Sequence, residues 1–407
     1  MKLCQLAAMQ RAFRLLCLPL FAFVVRAEAR EPQTSPPPQQ QVRARALGIQ
    51  FDGTPGPLNA ITDVAGVTVG YSTIISGEGK LEQGKGPVRT GVTAILPRGE
   101  KSFDDPVYAG AFSLNGNGEM TGIAWVEEGG FLEGPVMITN THSVGVVRDA
   151  VIKWRVSKGD PDATGFSWSL PVVAETYDGY LNDINGFHVK PEHAVQALET
   201  AKGGPVAEGS IGGGTGMMCF EFKGGMGTAS RVINIKGADG AAPANYTVGA
   251  IVQSNFGLRP QLMITGVPVG REIPEGAIRS KESGSIIITI ATDAPLLPHQ
   301  LKRLARRGSH GLARTGGTSG NGSGDLFIAF STANPGVATT EKPKHTVETI
   351  PNDRLDPILN ATVQAVEEAI INSIVANQTM TGAEGRKVIA LPHERVREAL
   401  KKYGRLP

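Results

Sequence analysis

The stretch KESGSIIITIATDAPLLP, residues 281–298, joins a Ser-Gly-Ser turn to a β-branched strand that ends near proline. Glycine and serine are common in loops, so an ordinary turn before a buried strand is one interpretation. The other interpretation is that the Gly284–Ser285 peptide bond is cleaved, which leaves Ser285 as a new amino terminus. The choice between them decides the chemistry expected of the chain.

An amino-terminal serine carries its own base. Its α-amine has an unperturbed pKa of about 7.7–8.0, so much of it is neutral near physiological pH and can accept the hydroxyl proton. Gly284 has no Cβ, which allows a strained turn that exposes its carbonyl to Ser285 Oγ. The same hydroxyl would then first cut the chain and later attack a substrate.

Other near-continuous apolar runs predict strands that are covered on both faces. The predicted strands are residues 91–97, 107–114, 135–141, 246–253, 285–292 and 325–332. The predicted helices are residues 143–158, 190–202, 296–312, 356–377 and 392–404. Strands and helices alternate without strict βαβ regularity, so we expect an α+β fold with sheets between layers of helices.

A second polar motif precedes the strand at 325–332. Ser323 and Asp325 flank Gly324, and side chains two residues apart on an extended segment point to the same face. Such a pair can hold and polarise an amine at the end of an adjacent strand. A glycine-rich hairpin turn is the alternative interpretation.

Polar residues also end two apolar runs. Glu175 and Tyr177 end the apolar run that begins near residue 170, and Asn255 lies at a strand end in IVQSNFG (251–257). Burying such groups is unfavourable unless they are hydrogen-bonded. They are either ordinary caps and turns, or an ammonium-binding acid, a hydroxyl donor and an oxyanion donor, respectively.

Composition excludes several function classes. The chain has 407 residues and a net charge of +2, which gives no argument for a nucleic-acid partner. The seven histidines show no HExxH motif, and Cys219 is the one cysteine outside the amino-terminal leader, so we expect no metal site. The glycine-rich segment 209–222 lacks the Lys-Ser/Thr ending of a phosphate loop, and we expect no cofactor.

The amino terminus has the features of an export signal. Basic residues precede the apolar run LLCLPLFAFVV (15–25), and AEA (27–29) fits a cleavage site. We therefore predict a signal peptide at 1–29, a disordered Pro/Gln-rich start at 30–44 and a periplasmic or secreted protein. No membrane association is expected after removal of the signal.

Five blocks resemble the L-aminopeptidase/D-amidase-D-esterase family, which includes the β-peptidyl aminopeptidases. These blocks are NGNGEMTG (115–122), GPVMITNTHSVG (134–145), PVVAETYDGYLNDI (171–184), SGSIIITIATDAPLLPHQLKRLARR (283–307) and GNGSGDLFIAFSTAN (320–334). The resemblance covers nearly the whole chain from about residue 45.

This resemblance implies an αββα sandwich similar to that of amino-terminal-nucleophile hydrolases, with different connectivity. It implies self-cleavage between Gly284 and Ser285 into a large subunit (45–284) and a small subunit (285–407) that form one composite catalytic domain. It further implies a homo-oligomer of the cleaved pair. The implied activity is release of amino-terminal residues from small peptides, amides or esters of L-amino-acyl, D-alanyl or β-amino-acyl groups, through an acyl-enzyme on Ser285.

The resemblance also implies roles for the remaining polar residues. Ser323 and Asp325 match the serine-x-acid pair of the family, and Asn255 matches its oxyanion-hole asparagine. Tyr177 matches a tyrosine implicated in catalysis, and Glu175 lies where the family binds the substrate's ammonium group. In β-peptide-cleaving members the acid of the pair is glutamate, so Asp325 departs from their pattern and leaves a preference for β-peptides open.

Two other functions compete with an aminopeptidase. The first is an acyltransferase, because ornithine acetyltransferases are similar in their self-cleavage; their nucleophile, however, is threonine, whereas residue 285 is serine. The second is a non-enzymatic secreted binding protein on the same fold. The presence of Ser285, Ser323 and Asp325 argues against that alternative.

Overall fold

The computed structural model describes residues 42–159, 163–237 and 242–406. The predicted signal peptide and nearly all of the predicted Pro/Gln-rich start lie outside these residues. Arg43 and Ala44, which lie in the predicted disordered start, are packed in the structure: Arg43 forms a 2.6 Å ion pair with Glu208, and Ala44 is fully buried. The end of the predicted disordered segment therefore belongs to the folded chain.

Strands and helices alternate along the described residues. The strands are β1 (Thr68–Ser76), β2 (Val88–Glu100), β3 (Val107–Gly116), β4 (Phe131–Leu132), β5 (Val136–Asn140), β6 (Val172–Thr176), β7 (Met218–Cys219), β8 (Phe222–Lys223), β9 (Gly225–Ile235), β10 (Ala244–Asn255), β11 (Gly284–Thr292), β12 (Ser323–Ser331), β13 (Met380–Thr381) and β14 (Lys387–Val388). The helices are α1 (Ile123–Gly129), α2 (Val144–Lys158), α3 (Pro191–Glu199), α4 (Val269–Glu272), α5 (Pro298–Arg314), α6 (Asp356–Val375) and α7 (His393–Lys402). No helix within the described ranges is long and apolar enough to cross a membrane.

Two sheets form the centre of the molecule. One has the strand order β1-β2-β5-β6, and the other has the order β4-β3-β12-β11-β10-β9. Apolar side chains from both sheets pack between them. Helices α2 and α3 cover the outer face of the first sheet, and α5 and α6 cover the outer face of the second. The predicted αββα sandwich is confirmed.

Strand β11 shows why its sequence favours this position. Ile286, Ile288 and Ile290 pack towards α5 and α6, whereas Ile287 and Ala291 pack between the two sheets. Successive side chains of a strand point to opposite faces, so a strand between two cores needs apolar side chains on both faces, and the isoleucines of β11 supply them. Burial of each isoleucine contributes about 1.5–3 kcal/mol.

The predicted strands and helices are all present, with ends within a few residues of the prediction. One boundary matters for the site: β11 begins at Gly284 rather than at Ser285, because Gly284 already pairs with Ser323 of β12. The peptide bond between Gly284 and Ser285 therefore lies within the paired region of β11 and β12, at its first two residues. Strands β11 and β12 are parallel and are connected through α5.

Candidate active site

Ser285 lies near the start of β11, between the end of β10 on one side and the start of β12 on the other. It pairs with Asn255 at the end of β10 and with Gly324 at the start of β12. The Gly324 N–H donates a hydrogen bond of 3.2 Å to Ser285 Oγ, and the residue is 5% exposed. The serine hydroxyl is thus held by the sheet and still reaches a cavity at its edge.

The residue before this serine has to be glycine. Gly284 has a φ of +145°, in a region that residues with a Cβ rarely adopt. A Cβ at this position would lie 1.9 Å from the carbonyl oxygen of Asn255 on the neighbouring strand. The backbone at the predicted scissile bond therefore depends on the absence of a side chain.

The serine-x-acid pair is formed as the sequence predicts. Ser323 Oγ donates to Asp325 Oδ1 at 2.6 Å, and both side chains are buried. Burial raises the pKa of the Asp325 carboxyl, while hydrogen bonds from Ser323, Ser319 and the Ile286 amide oppose that rise. The pair lies on the strand beside Ser285, where the amine of a cleaved chain would appear.

Gly324, inside the pair, has no room for a side chain either. A Cβ on it would lie 2.4 Å from the carbonyl oxygen of Asn117. A β-bulge in β3 faces this point, since the partners of Asp325 and Leu326 are Asn115 and Ser113. Bulges often occur next to active sites, where they redirect a strand.

Glu175 is the second-last residue of β6 in the other sheet and is 3% exposed. Its carboxylate accepts hydrogen bonds from Thr141 Oγ1 at 2.5 Å and from the Glu119 N–H at 3.1 Å. Burial raises the pKa of this carboxyl, and the two hydrogen bonds oppose the rise. A fixed carboxylate in a cavity wall suits an ammonium group of a ligand, because that ion pair forms away from bulk water.

Asn255 and Tyr177 are connected to each other. Asn255 Nδ2 donates to the Tyr177 carbonyl oxygen at 2.8 Å, and its Oδ1 accepts from the Met218 N–H at 2.9 Å. The asparagine is buried, whereas Tyr177 is 46% exposed. One N–H of the carboxamide is thus used within the protein, and the ring of Tyr177 forms part of the cavity wall.

A cavity of about 330 Å³ joins these groups. Its lining residues are Asn117, Thr141, Glu175, Tyr177, Arg279, Ser283, Gly284, Ser285 and Gly322. Ser323, Asp325 and Asn255 do not line it but border Ser285 from the neighbouring strands. The structure therefore brings together every site residue named from the sequence.

Five lining residues were not predicted as site residues: Asn117, Thr141, Arg279, Ser283 and Gly322. All of them except Arg279 lie in blocks that carry the family resemblance, and this position was the signal that could have identified them. Arg279 has no such signal, because it lies in the irregular segment before β11. Its place in the wall depends on the tertiary fold.

The glycine-rich segment 209–222 is not a phosphate loop in the structure. A Cβ on Gly213 would meet the side chain of Gln253 and the Ile138 carbonyl, so the glycines allow close packing between the sheets. The Met218 N–H from this segment holds Asn255. Among residues 42–159, 163–237 and 242–406, no group of three or more His, Cys, Asp or Glu side chains is placed to bind a metal ion.

Comparison with known proteins identifies the family. Residues 59–388, most of the chain, match the model of peptidase family S58. The chain belongs to peptidase family S58. This S58 protein is accordingly an enzyme, a hydrolase of the peptidase class, which excludes a non-enzymatic binding protein.

Relatives of this S58 peptidase have aminopeptidase names. It is 58% identical over 379 residues to the β-peptidyl aminopeptidase BapA of Sphingosinicella microcystinivorans, a match that covers 89% of this chain and 93% of the relative. It is 48% identical over 376 residues to BapA of Sphingosinicella xenopeptidilytica, with coverages of 88% and 91%. The names of these two relatives support the aminopeptidase activity expected from the sequence.

A solved structure supports the fold in the same way. The L-aminopeptidase D-Ala-esterase/amidase of Ochrobactrum anthropi superimposes with a TM-score of 0.83 at 49% identity, covering 90% of this chain and 99% of that one. It is described as a prototype of the serine aminopeptidases and as a variant of the Ntn hydrolase fold. A serine nucleophile at a new amino terminus is consistent with such a fold.

Proposed function

We propose that this S58 peptidase is a self-processing, exported aminopeptidase that works through an acyl-enzyme on Ser285. The observation that carries the proposal is one cavity lined by Ser285, by the Gly284 whose conformation requires glycine, and by the buried carboxylate of Glu175. A nucleophile, a scissile bond whose backbone conformation requires glycine and an acid that binds an ammonium group are the groups that this reaction needs.

The proposed first reaction is an acyl shift within the chain. Ser285 Oγ attacks the Gly284 carbonyl carbon, and the C–N bond between the two residues breaks as the nitrogen takes the hydroxyl proton. The product is an ester between Gly284 and Ser285 together with a free α-amine on Ser285. Water then hydrolyses the ester, which releases the Gly284 carboxylate and restores the hydroxyl.

The proposed second reaction uses the new amine as base. The amine appears beside Ser323, because Gly284 and Ser323 are paired in the uncut chain. The Ser323–Asp325 pair orients it, and the negative charge of Asp325 favours its protonated form. Ser285 Oγ gives its proton to the amine and attacks the substrate carbonyl carbon, and the second N–H of Asn255 is proposed as an oxyanion donor. The scissile C–N bond then breaks as the leaving amine takes that proton, and water hydrolyses the acyl-enzyme ester, which releases the amino acid and restores the hydroxyl.

Substrate binding is proposed to depend on Glu175. Its carboxylate would pair with the free ammonium of the substrate, which makes the enzyme act at the amino-terminal residue. Tyr177 forms the exposed side of the same cavity and is proposed to contact the reacting group. A cavity of about 330 Å³ accommodates a small peptide or amino-acyl amide.

The proposed substrates carry an amino-terminal β-amino acid. Support comes from the names of the two relatives at 58% and 48% identity, both β-peptidyl aminopeptidases. L-amino-acyl amides and D-alanyl esters are the competing substrates, because the related structure at 49% identity is an L-aminopeptidase D-Ala-esterase/amidase. Asp325, in place of the glutamate expected for β-peptide cleavage, is the residue that opposes the proposal.

A kinetic panel tests this choice. The mature enzyme is given para-nitroanilides of a β-amino acid, the matching L-amino acid and D-alanine, and kcat/KM is measured for each. We expect the highest value for the β-amino-acyl substrate, and an amino-acetylated version of it should not react. A higher value for the L- or D-substrate would refute the β-preference, and transfer of the acyl group mainly to an added amine would favour the acyltransferase alternative.

Export and assembly complete the proposal. The charged start, apolar core and AEA site at 27–29 support secretion to the periplasm or medium. We also propose that the cleaved pair forms a homo-oligomer, as the family resemblance implies. Amino-terminal sequencing of exported protein should start near Arg30, and light scattering gives the mass of the assembly.

A further inference from the structure

The segment before Gly284 is held by a buried acid that the proposed mechanism does not use. Glu221 is 1% exposed, and its Oε1 accepts hydrogen bonds from the backbone N–H groups of Ile278 and Arg279. Its Oε2 accepts from the Arg259 N–H at 2.8 Å. One carboxylate therefore fixes the chain about six residues before the proposed scissile bond.

The position of Glu221 is itself unusual. It and Phe220 are the two central residues of the turn between β7 and β8, and their φ values are +62° and +49°. Turns of this kind favour Asn-Gly, because side chains at positive φ are strained. Strained backbone persists where the surrounding structure requires it, and here the turn directs a carboxylate at the segment before β11.

Arg259 holds the same segment from the other side. Its guanidinium lies over the Phe222 ring at 3.3 Å from the centroid and is almost fully buried. It donates to backbone carbonyl oxygens of Phe220, Glu221, Ile273, Glu275 and Gly276. Residues 273–279 are thus tied to the β7–β8 turn before the chain enters the cavity.

Arg279 continues this connection to the scissile bond. Its backbone N–H is held by Glu221, and its guanidinium donates to the carbonyl oxygen of Ser283, the residue directly before Gly284. Arg279, Ser283 and Gly284 all line the cavity that contains Ser285. The contacts form a continuous path from the buried acid to the bond that is proposed to break.

We propose that Glu221 and Arg279 are positioning residues for self-cleavage, which hold residues 278–283 so that the Gly284 carbonyl carbon stays in reach of Ser285 Oγ. The inference rests on the proposed self-processing of the chain. Neither residue touches the reacting atoms; each acts through the backbone that it holds. A misplacement of about 1 Å in such geometry can slow a reaction about 10²-fold.

The test follows self-cleavage of the full chain over time in cell-free translation, with the two fragments separated on a gel. Arg279→Ala should cleave at least about tenfold more slowly than wild type. Arg279→Lys should be intermediate, because lysine keeps the charge but not the planar donor group. Lys281→Ala is the matched control, since Lys281 is exposed in the same segment and should cleave at the wild-type rate.

Chemical rescue separates positioning from a general loss of structure. Millimolar methylguanidinium should speed cleavage of Arg279→Ala and leave Lys281→Ala unchanged. Glu221→Gln should also cleave slowly. The backbone N–H groups of Arg259, Ile278 and Arg279 donate to both carboxylate oxygens of Glu221, and the glutamine amide has only one acceptor oxygen. Should Glu221→Gln fail to fold, the Arg279 series still decides the question.

The outcomes distinguish the two proposals. Cleavage of Arg279→Ala within about twofold of wild type, or slow cleavage that methylguanidinium does not improve, overturns the positioning role. A wild-type chain that stays whole overturns self-processing itself. Slow, rescuable cleavage of Arg279→Ala beside normal cleavage of the control supports both.

Discussion

Gly284→Ala is the substitution whose effect follows most directly from the geometry. An alanine Cβ would lie 1.9 Å from the Asn255 carbonyl oxygen, whereas ordinary contacts begin near 3.4 Å, so the backbone has to move by about 1.5 Å (3.4 Å minus 1.9 Å). The alanine would also need to adopt a φ of +145°, which strains the backbone by about 1–3 kcal/mol.

The displacement applies to the carbonyl that Ser285 is proposed to attack. Because a shift of about 1 Å can cost about 10²-fold in rate, self-cleavage of Gly284→Ala should slow by about 10²-fold or more. Pulse-chase labelling with separation of precursor and fragments measures this rate. Thermal unfolding of the uncut variant should show a folded protein with a melting temperature a few degrees lower, since the remaining cores are untouched.

Gly322→Ala is the matched control. Gly322 lines the same cavity, but a Cβ there would meet its nearest neighbour, the Glu282 carbonyl oxygen, at 3.7 Å, an ordinary contact. It should therefore be cleaved at the wild-type rate. If Gly284→Ala is processed as fast as this control, the glycine conformation at position 284 has no part in cleavage and the reasoning is refuted.

Two further predictions concern the mature enzyme and its pH dependence. Asp325→Asn should lower kcat and move the acidic limb of the kcat pH profile to lower pH, because loss of the negative charge lowers the pKa of the Ser285 amine; an unchanged profile would show that another acid supports the amine. Glu175→Gln should raise KM by about tenfold or more for substrates with a free ammonium, since the charge-assisted contact is lost. Burial raises the pKa of Glu175, so as the pH falls this carboxylate becomes protonated at a higher pH than an exposed glutamate does. The KM of wild type should therefore rise as the pH falls through that range, and the KM of Glu175→Gln should show no such rise.

The sequence predicted the layers of the fold because its strongest signals were local. After Ser285, strand β11 consists of isoleucine and alanine except for Thr289 and Thr292, and this near-continuous apolar run identifies a strand covered on both faces without knowledge of its neighbours. Strands β1 and β9 were missed because each has a mixed pattern, buried at one end and half-exposed at the other. Their pairing with β2 and β10, rather than their own composition, determines their conformation.

The candidate site likewise contains residues that a local pattern predicts and residues that only the tertiary fold brings together. Ser323 and Asp325 could be paired from the sequence because two residues of one strand necessarily share a face. The hydrogen bond between Asn255 and the Tyr177 carbonyl joins residues 78 positions apart, and no local pattern predicts it. Glu221 was hidden for the same reason, since its partners lie 38 to 58 positions away along the chain.

The central claim is that the chain cuts itself between Gly284 and Ser285, and intact mass with amino-terminal sequencing of purified protein tests it most directly. Wild type should give two fragments that stay associated, 30–284 and 285–407, of 255 residues (284 minus 29) and 123 residues (407 minus 284), the smaller beginning at Ser285. Ser285→Ala should remain one inactive chain, and Ser283→Ala, the neighbouring control, should be cut normally. An active wild-type enzyme that is uncut, or a small fragment that begins at any other residue, would contradict the account.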